Sequence, residues 1–279
     1  MKNITLVVQK KDDLIDYLVS NTDYSKNKIK SLLKYKKISV NNKIVEKLPL
    51  NVINDDKIVI NLEKDIKTPF DIIYEDDEII VVDKQPGLLT IGTSTSDTDT
   101  LYRQVREYSN KNKNQVFIVN RLDKETSGIV MFAKSERIKM LYQNNWNELV
   151  SKRGYIAIVE GIVKNDGRIE NYLYEEPSTF VHSSKIGKKA ITNYRVIKSN
   201  GKYTMLDVNI ETGRKNQIRV HMSEMGHPII GDKKYGSKTD PIKRMGLHSY
   251  ILVINHPISR EKLVFESAYP KAFERLMYK

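Results

Sequence analysis

Apolar positions along this chain follow two rhythms, one helical and one of strands. Over Asp12–Ser20 they stand at Leu14, Ile15, Leu18 and Val19, a helical spacing. Ser25 is placed to cap a second helix, with Ile29, Leu32 and Leu33 on one face. Alternation takes over at Ile38-Ser39-Val40, Asn41-Asn42 marks a turn, and Lys43-Ile44-Val45 resumes. A last strand is predicted at Lys57–Leu62. These elements define a small N-terminal α/β unit over residues 1–64. A linker follows over 65–71, where a charged stretch gives way to Pro69.

The pattern then changes. Residues 72–84 read as a strand, an acidic turn and a second strand, closed by Gln85-Pro86-Gly87. Gly92–Thr100 is a polar loop and Lys111–Asn114 a basic turn, with a helix over Leu101–Tyr108 between them. Glu136–Val150 carries Ile138, Leu141, Tyr142 and Trp146 at near-helical spacing. Strands are predicted at Tyr155–Ile162, Ile191–Ile197, Tyr203–Ile210, Tyr250–Ile254 and Lys262–Glu266. Many strands with few helices between them predict an α+β fold with a mixed, mostly antiparallel sheet over residues 72–279. No internal repeat is visible.

Composition narrows the class. Hydrophobic residues make up 39% of the 279, enough for a core, yet no apolar run reaches the eighteen residues of a membrane span. The first residues lack the apolar stretch of a secretion signal, and there is no cysteine, so disulfides and thiol chemistry are excluded. A cytoplasmic protein is expected. The formal charge of +12, from 47 basic and 35 acidic residues, favours a polyanionic partner through counterion release. His182, His221, His227, His248 and His256 show no metal-ligand spacing. No phosphate-binding, dinucleotide-binding or serine-hydrolase signature occurs, so neither metal nor cofactor is expected.

Two stretches carry the chemistry. Asn120-Arg121-Leu122-Asp123-Lys124-Glu125-Thr126-Ser127-Gly128 sets an acid in a polar segment between the apolar runs Val116–Val119 and Ile129–Ala133. Glu211-Thr212-Gly213-Arg214-Lys215-Asn216-Gln217-Ile218-Arg219-Val220-His221 sets Arg214 just after a turn and Arg219 inside a predicted strand. A carboxylate nucleophile with an arginine partner, in a basic chain, points to covalent chemistry on nucleic acid.

On these residues the chain resembles the RluA-type pseudouridine synthases, whose hallmarks HRLDxxTSG and TGRxHQIRxH read here NRLDKETSG and TGRKNQIRVH. The run from His227 to Asp232 and Tyr235-Gly236 match as well. The resemblance implies a cofactor-free isomerase that converts uridine to pseudouridine in structured RNA, ribosomal or transfer; because both motifs lie in one domain, a monomer is expected. It makes Asp123 the catalytic acid, Arg219 its partner, Tyr155 the ring stacked on the flipped uracil, and Arg121 the side chain entering the RNA stack. Arg214 would touch phosphate or order its loop. The N-terminal unit resembles an S-four-like RNA-binding domain, which implies RNA contacts from Lys26, Lys28 and Lys30.

The carboxylate can add to carbon six of uracil, add to the anomeric carbon, or take a proton from the sugar's carbon two; the residues leave all three routes open. A free Asp is ionised at neutral pH unaided, so the value of Arg219 lies in offsetting burial and fixing orientation. The family's usual histidines are replaced by Asn120 and Asn216, which hydrogen-bond but do not titrate. That departure keeps a second reading open, a non-catalytic RNA-binding or ribosome-assembly factor that retains the fold. A nucleoside hydrolase is a third.

Overall fold

The strand Ser127–Ala133 and the run 154–159 within the strand Val150–Glu160 are almost wholly apolar, and both are buried throughout. Such runs belong to a sheet covered on both faces. The computed structural model describes residues 3–34, 37–45, 48–61, 68–92, 97, 99–111 and 115–278 (of 27, 28, 31, 34 and 111, the backbone alone). It divides into two units, Met1–Lys67 and Thr68–Lys279. Much of the linker expected over 65–71, most of the polar loop and the basic turn after Lys111 lie outside the described residues.

In the first unit, the helix Leu14–Asn21 begins at Asp13, whose carboxylate accepts from the backbone N–H groups of Ile15 (2.9 Å) and Asp16 (3.4 Å). Tyr17, not Val19, joins Leu14, Ile15 and Leu18 in the core; its hydroxyl donates to the Val7 carbonyl. The helix Lys26–Lys34 contributes Ile29, Leu32 and Leu33. A four-stranded sheet runs in the order Ile4–Val7, Lys57–Ile60, Ile38–Val40, Lys43–Ile44. Asn41 and Asn42 both take positive φ (49° and 65°), as a two-residue hairpin turn requires.

The second unit holds an eleven-stranded sheet. Its main path runs Val181–Ser183, Gly167–Glu175, Lys188–Ser199, Tyr203–Ile210, Val150–Glu160, Leu247–Asn255, Ser127–Ala133, Ile79–Lys84, Asp71–Glu75. Lys262–Glu266 and Phe117–Ile118 pair alongside. The pairing of Ser127–Ala133 with Leu247–Asn255 is parallel, whereas the other named pairs are antiparallel. The α+β architecture with a mixed, mostly antiparallel sheet is therefore the observed one.

One face of the sheet packs Ile80, Val82, Val130, Phe132, Ala157, Val159, Leu206 and Val208. On the opposite face, Ile79, Val81, Ile129 and Met131 meet the helix Glu136–Asn144, while Ile156, Ile158 and Met205 meet the C-terminal helix Lys271–Met277. Among the described residues, no helix is long and apolar enough to cross a membrane.

Two expectations need correcting. The helix expected over Glu136–Val150 ends at Asn144. Asn145 closes it by donating its side-chain amide and its backbone N–H to the Leu141 carbonyl (3.0 and 3.1 Å), and Trp146–Leu149 is a separate turn of helix. Arg219 lies on a helix, Gln217–Glu224, not in a strand. The alternation of Ile218, Val220 and Met222 imitates a strand. The segment is committed to helix by the turn before it, where Asn216 adopts a left-handed conformation (φ 54°) and Gln217 Oε1 accepts from the Arg214 N–H and the Thr212 hydroxyl.

Candidate active site

Asp123 sits within an irregular segment running from the strand Phe117–Ile118 to the strand Ser127–Ala133, and the chain around it is fastened by hydrogen bonds. The Thr90 hydroxyl donates to the Leu122 carbonyl (2.8 Å) and accepts from the Leu122 N–H (3.2 Å). Gly87 N–H donates to the Lys124 carbonyl, and Thr126 N–H to that of Asp123. Beneath them lies Lys84, with no exposed surface; its Nζ donates to the carbonyls of Gln85 (3.0 Å), Leu88 (2.8 Å) and Lys124 (3.0 Å). Three ammonium protons meet three carbonyl oxygens. Burial lowers the Lys84 pKa to about 8, the charges of Glu125 and Asp123 opposing that shift, so the group is still mostly protonated at neutrality.

Gly128 closes the segment for a steric reason. Its φ is +111°, and a Cβ there would stand 2.1 Å from the Ser249 carbonyl oxygen of the parallel neighbour strand. Ser127, beside it, is held by the Arg244 guanidinium (2.7 Å) and by His248 Nδ1 (2.8 Å).

Arg219 Nη1 donates to Asp123 Oδ2 at 3.3 Å, so the expected pair forms, but as the minor attachment of that guanidinium. Its Nε and Nη2 make a bidentate pair with Asp232 at 2.7 and 2.8 Å, and Nη1 also donates to Asn216 Oδ1 at 2.9 Å. The guanidinium lies over the Tyr235 ring, 4.8 Å from its centroid. Burial works against the charge, but the hydrogen bonds and charge of Asp232, with Asp123 adding, keep Arg219 protonated well above the usual arginine range. The side chains of Asp232, Arg219 and Asp123 are 2%, 12% and 30% exposed. The burial that Arg219 offsets is chiefly that of Asp232, and the Asp123 side chain is the most exposed of the three. Among the described residues, Asp123 Oδ1 receives no hydrogen bond.

Tyr155 lines the same cleft and is 8% exposed. A register shift between Gly154 and Tyr155 against Leu247–Asn255 marks a bulge, a device that re-aims a side chain. Burial raises the Tyr155 pKa; Arg153 and Ser249 oppose this and the Asp123 charge adds to it. The phenol is therefore neutral at ordinary pH.

Around these groups opens a cleft of about 1250 Å³. Its walls carry Arg121, Lys124, Lys139, Arg153, Arg214, Lys215 and Lys234, with the aromatic rings of Tyr102, Phe117 and Trp146. Arg121 is exposed at the cleft, two residues from Asp123 with the buried Leu122 between. Arg214 also lines it, with its Nε donating to the Lys189 carbonyl (2.9 Å). Asn120 accepts from the Met131 N–H (2.7 Å), while Asn216 Nδ2 donates to the Tyr235 hydroxyl (3.0 Å). The two replacements thus have partners of their own and do not compensate each other by direct pairing.

Lys26, Lys28 and Lys30 belong to the N-terminal unit. There Lys26 pairs with Asp16 at 3.0 Å and Lys30 is exposed; the Lys28 side chain lies outside the described residues. Asp232, Lys84 and Arg153 are absent from the sequence-derived site. Asp232 was visible only as the end of a matching run, and the other two look like ordinary strand-edge cations. Among the described residues, no group of three His, Cys, Asp or Glu could hold a metal.

The family model described as RNA pseudouridylate synthase matches residues 78–224, which contain Asp123, Tyr155 and Arg219. An uncharacterized RNA pseudouridine synthase of Aquifex aeolicus (strain VF5) is 33% identical, over 90% of this chain and 88% of its own. The ribosomal large subunit pseudouridine synthase D of Vibrio parahaemolyticus is 31% identical, over 89% of this chain and 84% of its own. Among solved structures, human RNA Pseudouridylate Synthase Domain Containing 1 superposes with a TM-score of 0.61 at 22% identity, covering 75% of this chain and 87% of that one. At that identity the likeness speaks for the fold alone.

Proposed function

The chain belongs to the RNA pseudouridylate synthase family, and on that premise we propose that it isomerises a uridine in structured ribosomal RNA with Asp123 as nucleophile. The observation that carries this is the Asp123 carboxylate itself. One oxygen is tied to a fixed arginine, the other takes no hydrogen bond from the described residues, and both stand in a basic cleft beside a buried, neutral tyrosine. A nucleophile held in one orientation with an open oxygen is prepared for attack without reorganisation.

In the reaction the bond between the anomeric carbon and N1 breaks, the uracil turns, and carbon five bonds to the anomeric carbon and loses its proton while N1 gains one; the bond that Asp123 forms to the substrate is broken again on release. Atoms balance without an external electron or group donor. Tyr155 offers an aromatic face to the displaced base and excludes water. Arg121, exposed at the cleft, fills the space a flipped nucleotide leaves in this reading, which offsets part of the few kcal/mol that extrusion costs. The name of the Vibrio parahaemolyticus relative supports a ribosomal large-subunit target. The lysine-bearing helix supports an RNA-holding role for the N-terminal unit, in a single chain acting in the cytoplasm. The two asparagines that favoured a binding-only protein each take part in hydrogen bonds at the cleft, and Asn216 helps hold Arg219.

The test is pseudouridine mapping on total RNA from a strain lacking this gene, after incubation with wild type or Asp123→Asn. New pseudouridine at a discrete position with wild type alone is the expected result. Because Arg219 keeps Asp232, Asp123→Asn should melt within about 1 kcal/mol of wild type, so lost activity would not reflect unfolding. An active Asp123→Asn protein would remove Asp123 from the mechanism.

A further inference from the structure

The cleft is larger than one nucleoside needs, since sites for small ligands run to about 300–1000 Å³ and this one is about 1250 Å³. One wall follows the chain from Phe117 to Asp123, every residue of which lines it. At the Phe117 end stand Trp146, Lys139, Gln143, Asn147 and Arg153, none of which the reaction above uses. Trp146 is the single tryptophan of the chain. The break at Asn145 turns it out of the helix Glu136–Asn144, and it is only half-buried against the core beneath. The Arg153 guanidinium lies over its ring, 5.5 Å from the centroid, and is held there by donating to the Glu211 carbonyl (2.5 Å). The Lys139 ammonium stands 6.0 Å from the centre of the Phe117 ring, and Gln143 and Asn147 are exposed.

We infer that Trp146, with Arg153 and Lys139, forms a second nucleotide subsite that stacks an unpaired base of the substrate RNA flanking the target uridine. The inference rests on the RNA reading above. An indole partly covered by core and guanidinium, yet open to a cleft, is an incomplete stack. A nucleobase completes it, as every base has an aromatic face, while a nearby ammonium suits its phosphate. Gln143 and Asn147 add donors and acceptors for a base edge. A uridine in a loop brings splayed neighbours with it, and this end of the cleft is where such a neighbour fits.

Because Trp146 is the only indole, its fluorescence reports this subsite directly. The full chain is titrated with a fluorescein-labelled single-stranded oligouridylate. Anisotropy of the label follows binding, and in parallel an unlabelled oligouridylate is used to follow tryptophan emission and its quenching by acrylamide. The expected result is binding with saturable loss of emission, reduced acrylamide access, and the same midpoint in both signals. Trp146→Ala should weaken binding about tenfold, with Trp146→Phe recovering most of the loss. Binding with unchanged emission and unchanged acrylamide access overturns the subsite and leaves the RNA reading standing. Absence of any binding overturns the RNA reading, and the subsite with it.

Discussion

The lysine-bearing helix Lys26–Lys34 and the Asp123–Arg219–Asp232 group use charge in opposite ways. On the helix, Lys26 and Asp16 are each 59% exposed and paired in water, where such a contact contributes little to stability. In the cleft, Arg219 is nearly enclosed, bonded to three side chains and stacked on a fourth. The first arrangement acts at a distance and is weakened by salt; the second acts by position and depends on every partner being present. The protein spends buried charge where geometry decides the chemistry.

The sharpest way to break the contrast is Arg219→Ala. It leaves Asp232 buried without its bidentate partner, and truncating one side of such a pair costs about 3–5 kcal/mol. Thermal melting should fall by that amount, and pseudouridine formation should drop by at least about a hundredfold even below the new melting range. Arg219→Ala combined with Asp232→Asn should recover much of the stability and none of the activity, because the uncompensated charge is gone while Asp123 stays unpinned. A melting curve unchanged in the single variant would show that the pair carries no structural weight.

Lys84→Met probes the support beneath. Three carbonyls lose their shared donor; that of Lys124 keeps the Gly87 N–H, while those of Gln85 and Leu88 cost about 1–3 kcal/mol each if left unpaired, partly relieved by water. A loss of about 3 kcal/mol is expected, together with reduced turnover, since one of the three carbonyls belongs to Lys124, next to Asp123. Turnover equal to wild type in a protein still folded would separate the clamp from catalysis.

Acid supplies a third test. Burial holds His221 and His248 at about 4, below the ordinary 6.5, with Glu224 opposing the shift at His221 and Arg244 adding to it at His248. The folded protein keeps both rings neutral where the unfolded chain protonates them. The stability they contribute is complete above pH 6.5 and is lost as pH falls from 6.5 towards 4, by at most about 3 kcal/mol each. Between pH 6.5 and 5, above the carboxylate range, denaturant midpoints should fall. His221→Asn should flatten that slope, and an identical slope would mean the ring is not held neutral.

What could be read from sequence follows the same division. Several strands of the second unit were legible where two-sided burial writes long apolar runs, and Asp123, Tyr155 and Arg219 stood out because they sit in dense motifs; the half-exposed Gly167–Glu175, with charged residues among its apolar ones, and the three-residue Val181–Ser183 were not expected. Asp232 was not, since a lone acid after glycine looks like a turn former until the fold brings it to Arg219 from thirteen residues away. Arg219 was assigned to a strand because Ile218 and Val220 alternate, which hides the local turn where Asn216 takes positive φ and Gln217 Oε1 accepts from the Arg214 N–H and the Thr212 hydroxyl. Tyr17 in place of Val19 is a smaller instance. A tyrosine reads as ambivalent, and it goes inside here because its hydroxyl finds the Val7 carbonyl.

The smallest effect belongs to the exposed helix. Lys26→Ala with Lys30→Ala should move the melting midpoint by no more than about 0.5 kcal/mol, because neither side chain is buried. If the helix holds RNA through its charge, binding weakens several-fold at low salt. The slope of log affinity against log salt then becomes shallower by about 0.7–0.9 for each phosphate that is no longer neutralised. Turnover at saturating RNA should not change, as nothing at Asp123 has moved. The salt slope is the discriminating reading. A protein whose affinity falls while its slope stays intact has changed in shape rather than in charge, and the contrast between a steering surface and a positioned cleft would fail at its weaker end.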